Sequence, residues 1–211
     1  MNIVHAINGL TQMGAAWVLW LLVALSVVGL AVAVERAVYL FGSRDDIAAL
    51  TRDLALSLGR GETDKARHRL EESPSFEARI ARAALDSDSA EAARERIARE
   101  SALTRIDLER RLVFLGTLGN NAPFVGLLGT VIGIVRAFQA LGAGAGQVSA
   151  GLMAEIGEAL VATAFGLLVA LPAVACFNYF QRVIRTRLAR GDALSREVLA
   201  HLESQALVRE A

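Results

Sequence analysis

The stretch "EALVATAFGLLVALPAVACFNYF", from Glu158 to Phe180, carries one carboxylate at its head, a threonine five positions later, and no other charged side chain. A membrane-crossing helix needs about 20 predominantly apolar residues, because the hydrocarbon core is about 30 Å thick and an α-helix rises about 1.5 Å per residue. Two further segments meet that requirement, Trp17 to Val34 and Leu112 to Val135. Of the 211 residues 54% are hydrophobic but only 6% aromatic. An excess of small aliphatic side chains over aromatics points to lipid-facing helices rather than to a soluble core. The fold class expected is therefore an all-α membrane protein with three transmembrane helices.

The formal net charge is zero, yet the charges are segregated between Arg44 and Arg111 and again after Gln181. No Lys or Arg occurs in residues 1–16 or between Leu141 and Gly151. Since basic loops stay in the cytoplasm, this asymmetry predicts an outer-side N-terminus (1–16) and a first span over 17–41. A cytoplasmic helical segment (42–111) and a second span (112–141) follow. An outer-side Gly-rich link (142–151), a third span (152–181) and a cytoplasmic tail (182–211) complete the chain. No basic residue precedes the first span and its apolar part exceeds a typical signal-peptide core, so it reads as a retained helix.

Within the cytoplasmic segment, Ile47, Leu50, Leu54 and Leu58 recur at three- and four-residue spacing, as do Phe76, Ile80 and Ala84. Two amphipathic helices are expected, with turn signals at Gly59–Gly61 and Ser73-Pro74. A third starts at the candidate caps Asp88-Ser89, is supported by Glu95/Arg99 and Arg105/Glu109 spacing, and meets no breaker before Leu112. It is expected to run on into the second span as a long helical extension, leaving little volume for a separate active site.

Several function classes are disfavoured. The arginines alternate with acids and form no basic stripe with aromatics, so nucleic acid is not expected as a partner. Cys176 stands alone in an apolar run, and His5, His68 and His201 share no ligand spacing, so no metal is expected. There is no nucleophile–base pair or phosphate loop, and the glycines of "GAGAG" lack a strand–helix context. Neither enzyme chemistry nor a cofactor is expected.

The second and third spans carry complementary stripes of small residues. On one, Gly116, Gly119, Pro123, Gly126, Thr130, Gly133 and Ala137 repeat at three and four; on the other, Ala159, Thr163, Gly166, Ala170, Ala173 and Phe177 do the same. Such stripes allow close backbone approach, which drives helix association in lipid; the expected role of Gly126, Gly133, Ala159, Gly166, Ala170 and Ala173 is helix packing or contact with a partner. A hairpin turning near Gly146-Gln147 sets Thr130 level with Thr163. It also sets Arg136 level with Gly157 and Glu158, which offers an ion pair, while Glu155 falls at the wet boundary. The other reading of Glu158 puts it at the rim of a polar lumen.

"APFVGLLGTVIGIVRAF" (122–138) and "EIGEALVATAFGLLVALPAVACFNYF" (155–180), with Glu35-Arg36 after the first span, resemble the MotA/TolQ/ExbB proton channel family, and the three-span layout is similar to its ExbB and TolQ branches. The resemblance implies a homopentameric bundle in the bacterial cytoplasmic membrane, with a periplasmic N-terminus and a cytoplasmic C-terminus. It implies a partner of ExbD or TolR type, with one span carrying an Asp, and a TonB- or TolA-type protein energised by the proton gradient. By motif position the family's threonines and glutamate fall on Thr130, Thr163 and Glu158, its prolines on Pro123 and Pro172, and a polar residue on Asn178. Competing expectations are a TolQ-type role in envelope maintenance, a self-contained ion channel, or a passive scaffold in the lipid bilayer.

Overall fold

The computed structural model describes residues 14–43, 45–87, 89–143 and 150–210. The stretch up to residue 13 with His5, the turn near Gly146-Gln147 and the Asp88 cap lie outside the described residues. Among the described residues seven helices follow one another: α1 (Ala16–Gly42), α2 (Ile47–Gly59), α3 (Thr63–Glu72), α4 (Phe76–Leu85), α5 (Ala90–Glu109), α6 (Leu112–Ala143) and α7 (Ala150–Glu210). No strand occurs among the described residues. The chain is an all-α membrane protein: α1, α6 and α7 are each long and apolar enough to cross a bilayer.

The helices divide into two compact units, one formed by residues up to Glu35 with Arg111–Asn178, the other by Arg36–Arg110 with Tyr179–Ala211. In the first unit Val18 and Leu22 of α1, Leu118, Ala122 and Ile132 of α6, and Val169, Ala170 and Ala173 of α7 share one buried core. Around it Trp20, Leu30, Phe124, Phe138 and Leu171 remain more than two-thirds exposed. A contiguous apolar exterior of that kind requires lipid or protein against it.

The second unit has a core of its own. Leu50, Leu54 and Leu58 of α2 are buried as their spacing requires, and so are Ile80 and Ala84 of α4. Ser75 and Ser89 cap α4 and α5 through their hydroxyls, and Asp46 caps α2 through its carboxylate. Between the two predicted amphipathic helices lies a third, α3, which buries only Ala66 and Leu70. Within this unit Arg187 of α7 is the central polar tie. Its guanidinium donates to both carboxylate oxygens of Glu77 at 2.9 and 2.8 Å, to Leu40 O at 2.8 Å, to Ser43 Oγ at 3.0 Å and to Ser43 O. All five N–H donors of the group are thereby used. Two of the acceptors are carbonyls at the end of α1, where the helix itself supplies no partner.

Two sequence expectations are corrected. The helix beginning at Ala90 does not continue into the second span: it stops at Glu109, and Arg111 takes a left-handed φ of 67° before α6 starts. An L-residue adopts that conformation at a cost, and it interrupts the helix without Gly or Pro. The segment 42–111 is also more than an extension of the membrane helices, because its four helices pack with the end of α7 into a separate core.

Candidate functional site

The contact between α6 and α7 is built from backbone. A side-chain carbon placed on Gly126 would meet Ala162 O at 2.7 Å and Thr163 Cα at 3.0 Å; one on Gly166 would meet Ala122 O at 2.7 Å and Gly126 Cα at 3.1 Å. Nothing larger than hydrogen fits at either point. The same antiparallel register sets Gly116 against Phe177, Gly119 against Val174 and Gly133 against Ala159. The stripes expected from spacing therefore face each other, and Ala159, Ala170 and Ala173 are all under 7% exposed. Their side chains are covered by contacts within the chain.

Inside this contact lies a polar pair. Thr130 Oγ1 donates to Leu127 O at 2.6 Å, Thr163 Oγ1 donates to Gly126 O at 3.1 Å, and the two hydroxyl oxygens are 3.2 Å apart. Three contacts share two hydroxyl hydrogens, so no hydrogen is left over. What the pair offers to any further group is oxygen lone pairs. Thr130 is 8% exposed, whereas Thr163 is half-buried, bordering the exposed ridge of Leu160, Leu167 and Leu171. Of the two hydroxyls, Thr163 is the one within reach from outside the hairpin.

Nearer the turn, the structure corrects the charge pairing expected from depth alone. Arg136 Nη2 meets Glu155 Oε1 at 3.1 Å, not Glu158. Glu155 belongs to the contact stripe, four residues before Ala159 and seven before Ala162, whereas Glu158 is turned off it. Glu158 is exposed and has no ion pair among the described residues. At 3.6 residues per turn, its five-residue separation from Thr163 places it about 140° round the helix and about 7.5 Å along it. Glu158 and the hydroxyl pair thus do not share a face of α7. Gly14, with φ of 77°, packs directly on the guanidinium of Arg136, which a larger residue there would displace.

Pro123 and Pro172 lie inside α6 and α7. Pro172 helps to line a groove of about 190 Å³ with Ser26, Gly29, Leu168 and Cys176, apolar nearly throughout. Asn178 ends the portion of α7 that belongs to the first unit. The residues that sequence reasoning missed are Glu155, Glu77 and Arg187. The first could have been found from its place on the small-residue stripe, while no periodic signal links the other two across 110 positions.

A three-helix membrane unit with a polar hydroxyl pair locked into a glycine-lined helix contact defines a polytopic membrane protein whose second and third spans associate backbone to backbone. Comparison with known proteins agrees. The profile of the MotA/TolQ/ExbB proton channel family matches residues 71–192, and the chain belongs to that family. A biopolymer transport protein ExbB of Xanthomonas campestris pv. campestris is 42% identical over 108 residues, covering 51% of this chain and 41% of the relative. One from Neisseria gonorrhoeae is 44% identical over 92 residues, covering 43% and 41%. One from Aquifex aeolicus is 38% identical over 91 residues, covering 43% and 62%. The aligned part thus spans about half the length of the curated relatives it matches.

Proposed function

We propose that this protein is the channel-wall subunit of a proton-driven motor in the bacterial cytoplasmic membrane, which energises TonB-dependent transport together with an ExbD-type partner. In this reading the subunit forms a homopentamer with its N-terminus periplasmic and its C-terminus cytoplasmic, and the partner's single span supplies the aspartate that carries the proton. The observation that carries the proposal is the hydroxyl pair Thr130–Thr163, whose two hydrogens are already given to Leu127 O and Gly126 O while the oxygens lie 3.2 Å apart. Such a pair accepts a hydrogen bond from a protonated carboxyl group but has no hydrogen to offer a carboxylate. It therefore favours the neutral form of an acid brought against it, as a wall that hands a proton on must do.

The residues of the spans support this division of labour. Between Leu112 and Ala154 and between Ala159 and Phe180 no Asp or Glu occurs, so a field across the bilayer has no titrating group of this chain to act on at that depth. A charge moved through it is worth about 2.3 kcal/mol per 100 mV, and a second protein must provide the carrier. Glu158, exposed and toward the outer end of α7, serves as a rim charge that raises the local cation concentration and needs no shared face with the threonines. The TolQ-type role in envelope maintenance draws on the same residues; the ExbB names of the relatives favour the transport role.

Replacing both threonines by valine keeps volume and removes the hydroxyls. With abundance and assembly unchanged, the double variant should lose proton-gradient-dependent uptake, measured in cells lacking the native subunit. Retained uptake in a normally assembled T130V/T163V protein would reduce the hairpin to a passive scaffold.

A further inference from the structure

In the second unit, α4 and α5 enclose a cleft of about 360 Å³ lined by Arg79, Arg82, Asp86, Arg96, Arg99 and Glu100, with Ala83 its sole apolar side chain. Four guanidiniums face two carboxylates, and the carboxylates are already engaged. Asp86 Oδ1 meets Arg67 at 2.6 Å, and Glu100 Oε1 meets Arg79 Nε at 2.9 Å. That second contact is not aligned as a hydrogen bond: Arg79 Nε is buried without an acceptor, while Arg79 Nη2 donates to Thr104 at 2.8 Å and lies 3.6 Å from Asp107 Oδ2, so Arg79 is itself charge-paired. Arg96 gives its hydrogen bond to the carbonyl of Asp86, not to an acid. Arg82, half-buried, and Arg99, exposed, make no hydrogen bond or ion pair among the described residues.

Arg82 and Arg99, which have no carboxylate partner among the described residues, converge with Arg96 on one concavity, and their planar forks are left open to the paired oxygens they fit. We propose that this cleft binds a small soluble phosphate compound of the diphosphate class, with Arg82 and Arg99 as the anion-contacting residues and Arg96 and Arg79 closing the sides. The cleft's size falls in the range of small-molecule sites. Its lining excludes the neighbouring possibilities: a lipid needs an apolar wall for its acyl chains and an acidic protein segment needs a longer groove, and neither is present around Ala83.

The test uses the full chain in nanodiscs of zwitterionic lipid, titrated calorimetrically with inorganic pyrophosphate. Saturable binding is expected, weakened roughly tenfold or more by R82Q/R99Q together, while R82K/R99K, which keeps charge but loses the fork, falls between. The unfolding temperature of each variant without ligand should stay at the wild-type value, since neither side chain makes a bond that folding would lose. Three results overturn the proposal. They are absence of saturable binding by the wild type, equal binding by R82Q/R99Q, and displacement of pyrophosphate by poly-glutamate or by anionic lipid at matched charge, which reassigns the cleft to an acidic protein segment or to the membrane.

Discussion

Glu155 and Glu158 sit one turn apart on α7 and differ in everything except charge. Glu155 is held by Arg136 at 3.1 Å and is about two-thirds covered, whereas Glu158 is exposed and unpaired among the described residues. Removing charge from each should therefore read out differently. E155Q strands Arg136 in a partly covered position and should lower protein abundance, as scored by immunoblot of membranes. E158Q should leave abundance unchanged and lower proton-driven uptake. A loss of abundance in E158Q with none in E155Q would reverse the assignment. Arg187 and Glu77, 7% and 2% exposed, are a more demanding pair. Losing one partner of a buried, fully hydrogen-bonded pair typically costs about 3–5 kcal/mol because the other charge stays buried. R187A should thus lower the chemical-denaturation midpoint of the helical signal far more than R190A, whose exposed side chain lies three residues on.

At the scale of helices, α6 and α7 meet through carbonyls and Cα atoms, which cannot step aside as a flexible side chain can. G166V should therefore cost at least the roughly 1–3 kcal/mol of ordinary overpacking, seen as a lower melting temperature by circular dichroism. G142V, with open space round its position, should melt as wild type. The three spans and the facing of the small stripes were legible in the sequence, because a repeat of three and four residues encodes a helix face directly. Depth along the hairpin points Arg136 to Glu158, but rotation about the helix axis brings Glu155 to it instead. Glu155 lies in phase with Ala159 and Ala162, and Glu158 does not. The stop at Arg110 was illegible for a different reason: arginine is a good helix former, and the φ of 67° at Arg111 runs against its local preference. The helix α3 escaped notice because its ten residues bury two side chains, too few to make a period.

For the whole molecule, the two units answer to different conditions. The first is held by apolar burial and backbone contact, the second in good part by charge. Asp45 illustrates the second: a hydrogen bond from Ser73, the amide of Asp46 and the Arg69 guanidinium at 3.4 Å hold its carboxyl below the usual carboxylate range. A group whose pKa falls on folding stabilises the fold above its unfolded pKa, and that contribution fades as pH drops through the folded value. Denaturation followed between pH 6 and pH 3 should find D45N less stable than wild type at the upper end, with the gap narrowing below about pH 4. A constant gap would remove Asp45 from the account.

The connections between the units also differ in kind. The α5–α6 connection is interrupted at Arg110–Arg111, while α7 runs for 61 residues without a break. The α5–α6 connection thus ends one helix and starts another at a residue held against its own backbone preference, whereas α7 carries Thr163 and Arg187 on a single helical backbone.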